Sequence, residues 1–263
     1  MSAETSLLEG NLAAALAELQ TQVKTDPAKT ELRVFLFQLL SVMGAWDRAL
    51  TQLKVAGDLD HSCLAMVQTY REALRCEVLR IDVFEGHRSP IIFGTPEPWM
   101  AECIQALGLS AQGLLSQAAE LRAKGFELAP PTAGTIDGEH FNWIADADSR
   151  IGPFLEAVIN GHYYWVPFHC IKKVELDPPE DLRDVVWMPA HFVWTNEGES
   201  VGLIPTRYVR SEMSDDSLVT LAKKTLWEQK ESGEYYGFGQ RMLTTDLKEY
   251  SLLDMRLIEF NTL

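Results

Sequence analysis

Apolar residues recur at helical spacing through the first 125 residues and give way to alternating, aromatic and β-branched runs beyond residue 130. Leu12, Leu16 and Leu19 share one helix face, as do Trp46, Leu50 and Leu53. Leu32, Phe35, Leu36, Leu39 and Leu40 form a wide stripe on a helix predicted from about Thr30 to Met43, the pattern of a helix packed on more than one side. Leu64, Val67, Tyr70, Leu74 and Val78 keep the same spacing. Pro90, Gly94, Pro96 and Pro98 then interrupt it. Two more helices are predicted, Trp99 to Leu107 and Ser110 to Lys124, separated at Gly108, and Pro130-Pro131 closes the helical part.

The second half has the grammar of strands. Asp137-Gly138 sits between extended runs, a hairpin signature. His162 to Phe168, Cys170 to Leu176, Val185 to Thr195 and Ser200 to Ile204 read as strands, with Asn196-Glu197-Gly198 as a turn. Leu252 to Phe260 alternates only in part, and Leu218, Leu221, Ala222, Thr225 and Leu226 predict a helix from about Ser217 to Gln229.

Sliding the chain by 34 residues aligns Gly10, Leu12, Ala15, Leu16, Leu19, Asp26 and Pro27 with Gly44, Trp46, Ala49, Leu50, Leu53, Asp60 and His61. That period is the tetratricopeptide one, a helix–turn–helix unit that stacks on its neighbours. Glycine suits the left-handed turn between helices, and alanine lets them approach closely. The first unit has only a stub of its leading helix, and a third, from about Leu64, lacks the glycine and alanine marks. Any antiparallel helical bundle would also show such alanines and leucines. The predicted class is therefore α+β and multidomain. Residues 1–128 form tetratricopeptide-like helical hairpins. Residues 129–263 form an acidic, mainly antiparallel sheet or small barrel with at least one helix.

Hydrophobic residues make up 46% of the chain, which indicates a packed protein rather than a disordered one. No apolar run reaches the length of a membrane span, and the first residues lack a basic start and apolar core, so no membrane insertion and a cytoplasmic location are expected. Cys63, Cys76, Cys103 and Cys170 are dispersed, in keeping with reduced core cysteines. Net charge is −15, concentrated in the second half, and such a field disfavours nucleic acid.

Little of the sequence points to catalysis. Asp146-Ala147-Asp148-Ser149-Arg150 starts like a calcium loop, but Ile151 stands where glycine is needed and Ala157 where a bidentate glutamate belongs. The predicted alternative is a turn in which the aspartates bond backbone N–H groups and pair with Arg150. The six histidines have no metal-ligand spacing, and no phosphate-binding glycine loop or nucleophile elbow is present, so no cofactor is expected. Gly237-Phe238-Gly239 reads as a flexible turn. Asp181, Arg183, Asp184, Arg207 and Arg241 join Asp146, Asp148 and Arg150 as a predicted structural brace, in which guanidinium groups satisfy carboxylates and carbonyls. An enzyme could use the same Asp and Arg side chains as a base and an anion clamp, and that alternative stays open here.

The sequence resembles the ImpE/SciE/TagJ family of type VI secretion accessory proteins over nearly its whole length. The resemblance rests on Leu32-Arg33-Val34-Phe35-Leu36-Phe37-Gln38-Leu39-Leu40, Gly44-Ala45-Trp46-Asp47-Arg48-Ala49, Val83-Phe84-Glu85-Gly86 and Pro96-Glu97-Pro98-Trp99. It continues in Ile136-Asp137-Gly138, Asp146 to Pro153, Asn160 to Pro167, Asp181 to Asp184, Ile204 to Tyr208 and Gly239 to Leu243. The resemblance implies a non-enzymatic cytoplasmic adaptor. Its partners would be the N-terminal helix of the smaller contractile-sheath subunit and the ClpV-type AAA+ ATPase. It supplies no catalytic residues. One departure is Asn196-Glu197-Gly198, where a glycine pair is expected.

Two binding surfaces follow as expectations. In the repeat register, Glu31, Val34, Gln38, Ser41 and Val42 lie on the inner face of the leading helix and would floor a helix-binding groove, unless the protein's own chain covers them. An open strand edge in the second half is the other.

Overall fold

The computed structural model describes residues 2–261. Seven α-helices come first: α1 (Ala3–Leu8), α2 (Leu12–Thr25), α3 (Thr30–Val42), α4 (Trp46–Leu59), α5 (Leu64–Phe84), α6 (Pro98–Ala111) and α7 (Leu115–Leu128). A two-residue strand, β1 (Ile91–Ile92), lies between α5 and α6. The 34-residue echo is physical. Ala15 and Ala49 are fully buried, as are Leu19 and Leu53, while Gly10 and Gly44 take φ of +75° and +68° at the two helix ends.

Helix α6 runs through Gly108 to Ala111, so the predicted break is displaced. The chain reverses instead at Gly113, which has φ +79°. In α3 every residue from Leu36 to Val42 is buried, because the end of this helix lies against the second half of the protein as well as against its helical neighbours.

The strands are β2 (Gly134–Ile136), β3 (Glu139–Phe141), β4 (Ile144–Asp146), β5 (Phe154–Ile159), β6 (His162–Pro167), β7 (Ile171–Leu176), β8 (Trp187–Trp194) and β9 (Glu199–Pro205). After a short helix, α8 (Ser217–Thr220), come β10 (Thr225–Gln229), β11 (Tyr235–Gly239), β12 (Met242–Thr245), β13 (Glu249–Ser251) and β14 (Leu257–Phe260). One nine-stranded sheet has the order β1-β6-β5-β9-β8-β7-β14-β2-β3, antiparallel except where β1 meets β6. A three-stranded sheet, β13-β12-β4, and the β10-β11 hairpin complete the α+β architecture. The outermost strands of the large sheet are two and three residues long, which leaves little edge for a partner strand.

The helix expected from Ser217 to Gln229 stops after one turn. Arg207 takes the Thr220 carbonyl that a continuing helix would use, and Ala222 adopts φ +53°. Thr225 to Gln229 then pair with β11, and Trp227 packs on Tyr208.

Strand β5 is buried at every position, and its alternation divides two cores. Leu155, Ala157 and Ile159 face Val166, Val174, Met188 and Phe192 in a core that also takes in Leu243 of β12. Phe154 and Val158 join Trp165, Trp187 and Leu203 in a core continuous with α2 to α6. Aromatic pairs cross between the halves: Tyr70 with Trp187, Phe84 with Trp165, and Trp99 with Phe154. At about 1.5–3 kcal/mol for each large apolar side chain withdrawn from water, these contacts alone are worth on the order of 10 kcal/mol. That is comparable with the net stability of a whole domain.

Candidate functional site

The charged groups singled out in the sequence lead into the seam between helices and sheet. Glu156 stands in the middle of apolar β5, fully buried. Arg80 of α5 donates to it through Nε at 2.7 Å and Nη2 at 3.0 Å, a two-point charge-assisted grip. Arg241 bonds both Glu156 and Asp146, and so links β5 to β4. The Tyr163 hydroxyl also donates to Glu156, and Trp165 Nε1 donates to Tyr163 at 2.8 Å. Glu77, one turn before Arg80, accepts from Trp187 Nε1 at 2.9 Å. Tyr208 donates to Asp146 at 3.1 Å.

Asp148 lies beside this cluster. Its Oδ1 accepts from the Arg150 main-chain N–H at 2.8 Å, and its Oδ2 from Gly237 N at 2.8 Å and Arg150 Nη2 at 2.5 Å. Asp146 in turn accepts from Asp148 N at 2.9 Å. This is an aspartate turn closed by arginine. Gly237 and Gly239 belong to strand β11 rather than to a flexible turn, because they pair with Trp227 and Thr225 of β10, and a side chain at Gly237 would meet the Tyr208 ring at 2.3 Å.

Burial works against every charge here, and the partners decide the outcome. Burial would raise Glu156, but Arg80 and Arg241 outweigh it and hold the carboxyl down to about 2. Burial raises Asp146, with Arg241 opposing, and raises Glu77, with Arg80 opposing. Burial pulls Arg207 down to about 10. Four carboxylates, Glu77, Asp146, Asp148 and Glu156, thus lie among four guanidinium groups, those of Arg80, Arg150, Arg207 and Arg241.

Asp181, Arg183 and Asp184 lie apart from this cluster. Arg183 grips Asp181 with contacts of 2.5–2.9 Å and covers the Tyr70 ring, while Asp184 accepts from the N–H groups of Glu180 and Asp181. Glu77, Arg80, Glu156 and Tyr163 were not singled out by sequence reading. One sign was available: Glu77 and Arg80 occupy core spacing with Tyr70, Ala73 and Leu74 on α5.

The open concavities lie elsewhere. One of about 950 Å³ runs between α5 and the sheet. Tyr70, Val158, Pro189 and Leu203 give it apolar surface, and Gln68, Thr69, Glu72, Asn160 and His162 give it polar surface. Val201 is 74% exposed beside it. Of the five residues expected to floor a groove on α3, Glu31, Val34 and Gln38 line a furrow of about 270 Å³. Ser41 and Val42 are fully buried and offer no such floor, since Arg207 binds their carbonyl groups and the side chain of Glu212 lies against Gly44.

Known proteins place the chain. Residues 138–259 match the family described as ImpE protein. The chain is 45% identical over 260 residues to the type VI secretion system accessory component TagJ of Pseudomonas aeruginosa, covering 99% of this chain and 91% of that protein. The crystal structure of protein VPA1032 from Vibrio parahaemolyticus has the same fold, with a TM-score of 0.90, 24% identity, and coverage of 99% of this chain and 98% of that one. From the near-complete alignment, with the matched family segment in agreement, this chain belongs to the ImpE/TagJ family of type VI secretion accessory proteins.

Proposed function

We propose that the protein is a non-enzymatic cytoplasmic adaptor of the type VI secretion system. It would bind the N-terminal helix of the sheath's small subunit and link the sheath to the ClpV-type AAA+ ATPase. The observation that supports this most is the α5–sheet groove, in which apolar surface lies between polar edges, the form that receives one face of an amphipathic helix. The strongly perturbed carboxylates and arginines are spent on one another inside the seam, and none of them lines this groove or the α3 furrow. Catalysis by Asp146, Asp148, Arg150, Arg207 or Arg241 would need groups that reach a substrate. The net charge of −15 also fits protein partners better than nucleic acid.

The α5–sheet groove is the primary seat of the helix, and Glu31, Val34 and Gln38 offer a second, smaller contact. The test is fluorescence anisotropy with a labelled peptide of the small subunit's N-terminal helix. Val201→Asp places a charge on an exposed position and leaves the fold intact, and is expected to weaken binding about tenfold or more. Val34→Asp is expected to have a smaller effect. Wild-type binding by both variants would remove these surfaces from consideration.

A further inference from the structure

Lys24 of α2, Arg33 of α3 and Arg48 of α4 converge on a furrow of about 370 Å³, with Val23, Leu36 and Leu40 supplying apolar surface. None of the three is ion-paired among the described residues, although the chain has a large acidic excess. Beyond residue 54, every described Lys and Arg except Lys223 either pairs with an acid or donates to main-chain carbonyls. Of the described cations without an acidic partner, Lys24, Lys29, Arg33, Arg48 and Lys54 lie on or beside α2 to α4, and the others are Arg207, Lys223 and Arg256.

Arg33 is also held in place without being neutralised. Its Nε and Nη2 donate to the Pro27 carbonyl at 3.2 and 3.1 Å, and its Nη1 to Gln52 Oε1 at 2.9 Å. Three of its five N–H groups are spent on neutral acceptors, so the guanidinium is oriented and its charge stays available.

We propose that this furrow docks an acidic peptide segment, one that presents two or three carboxylates around an apolar side chain. The carboxylates match the three cations, and the apolar side chain matches Val23, Leu36 and Leu40. A nucleic-acid backbone would gain nothing from that apolar surface and would be repelled by the rest of the protein. The furrow shares no lining residue with the α5–sheet groove, so the proposal stands or falls independently of helix binding there.

The experiment titrates the full-length protein against a fluorescein-labelled peptide of alternating Glu and Leu residues, and against the same peptide with Gln in place of Glu. Binding of the acidic peptide alone is expected, weakening sharply between about 0.05 and about 0.5 M salt. Lys24→Gln with Arg48→Gln removes two exposed side chains that make no hydrogen bond within the fold, so this variant remains folded. It should bind the acidic peptide about five- to tenfold more weakly. Lys24→Glu with Arg48→Glu should transfer the preference to a Lys–Leu peptide. The proposal is overturned by absence of binding, by equal binding to the Gln peptide, by an unaltered double variant, or by tighter binding of a DNA oligonucleotide of equal charge.

Discussion

Arg207 donates through Nη1, at 2.8 Å, to the carbonyl oxygen of Val42, the last residue of α3. A helix leaves its final carbonyls without internal partners, and their combined dipole favours a cation. In this protein the cation comes from the other half of the chain. The same nitrogen reaches the Thr220 carbonyl at the end of α8, and Arg80 donates to the main-chain carbonyl of Arg207 at 2.8 Å. One guanidinium therefore ends two helices and is itself tied to the buried ion network.

Replacing Arg207 by Gln is expected to cost about 3 kcal/mol or more, since buried carbonyls lose a charged donor. Urea unfolding followed by tryptophan fluorescence measures this. A loss below about 1 kcal/mol would mean that water or another donor takes over the carbonyls.

Glu156→Gln is expected to cost about 3–5 kcal/mol, because Arg80 and Arg241 would remain buried without their shared counter-charge. Lys172→Ala, which breaks the exposed pair with Glu197, is expected to leave the unfolding midpoint unchanged. Equal effects in the two variants would contradict the importance of burial.

Acid should expose the same network. Glu156 has a folded value of about 2 against an ordinary 4.5, so its contribution is fully present above pH 4.5 and is lost as pH falls through 2. The loss over that window is about 3 kcal/mol. Asp146, shifted upward from its ordinary 3.8, acts in the opposite sense, and only above that pH, so the two windows barely overlap. Unfolding midpoints should fall steadily as pH drops from about 4 to 2, below the range in which Asp146 opposes the change; a flat profile over that range would show that Glu156 protonates as it does in the unfolded chain.

Backbone geometry at Gly239 admits no side chain. Its φ is +94°, and a Cβ would lie 1.9 Å from the carbonyl oxygen of Lys224. Gly239→Ala is expected to cost about 3 kcal/mol or more. Gly113→Ala, with φ +79° but nothing within 4 Å of the added carbon, is expected to cost about 1 kcal/mol. Thermal unfolding of the two variants separates steric collision from conformational preference.

Much of the helical half could be read in advance because its information is local. The 34-residue echo placed Ala15 with Ala49 and Leu19 with Leu53, and all four are fully buried. The error near Ser217 has the opposite origin. Leu218, Leu221, Ala222 and Thr225 keep helical spacing, but a hydrogen bond from Arg207 and pairing with β11 override it. At the seam, Asp146 and Arg241 were legible as charges among strand-like segments. The pairing of Arg80 with Glu156 was not, because the two are 76 residues apart and such a match leaves no periodic trace.

The continuity of the core across both halves has a mechanical consequence. Trp46, Tyr70, Phe84 and Trp99 reach from the helices onto Trp187, Trp165 and Phe154 of the sheet, and the Arg80–Glu156 pair bridges the same seam. A load applied at the helices would pass to the sheet through interlocked rings and a charged clamp. Force on a partner held by the helices would therefore be felt by a partner held by the sheet, through the seam they share.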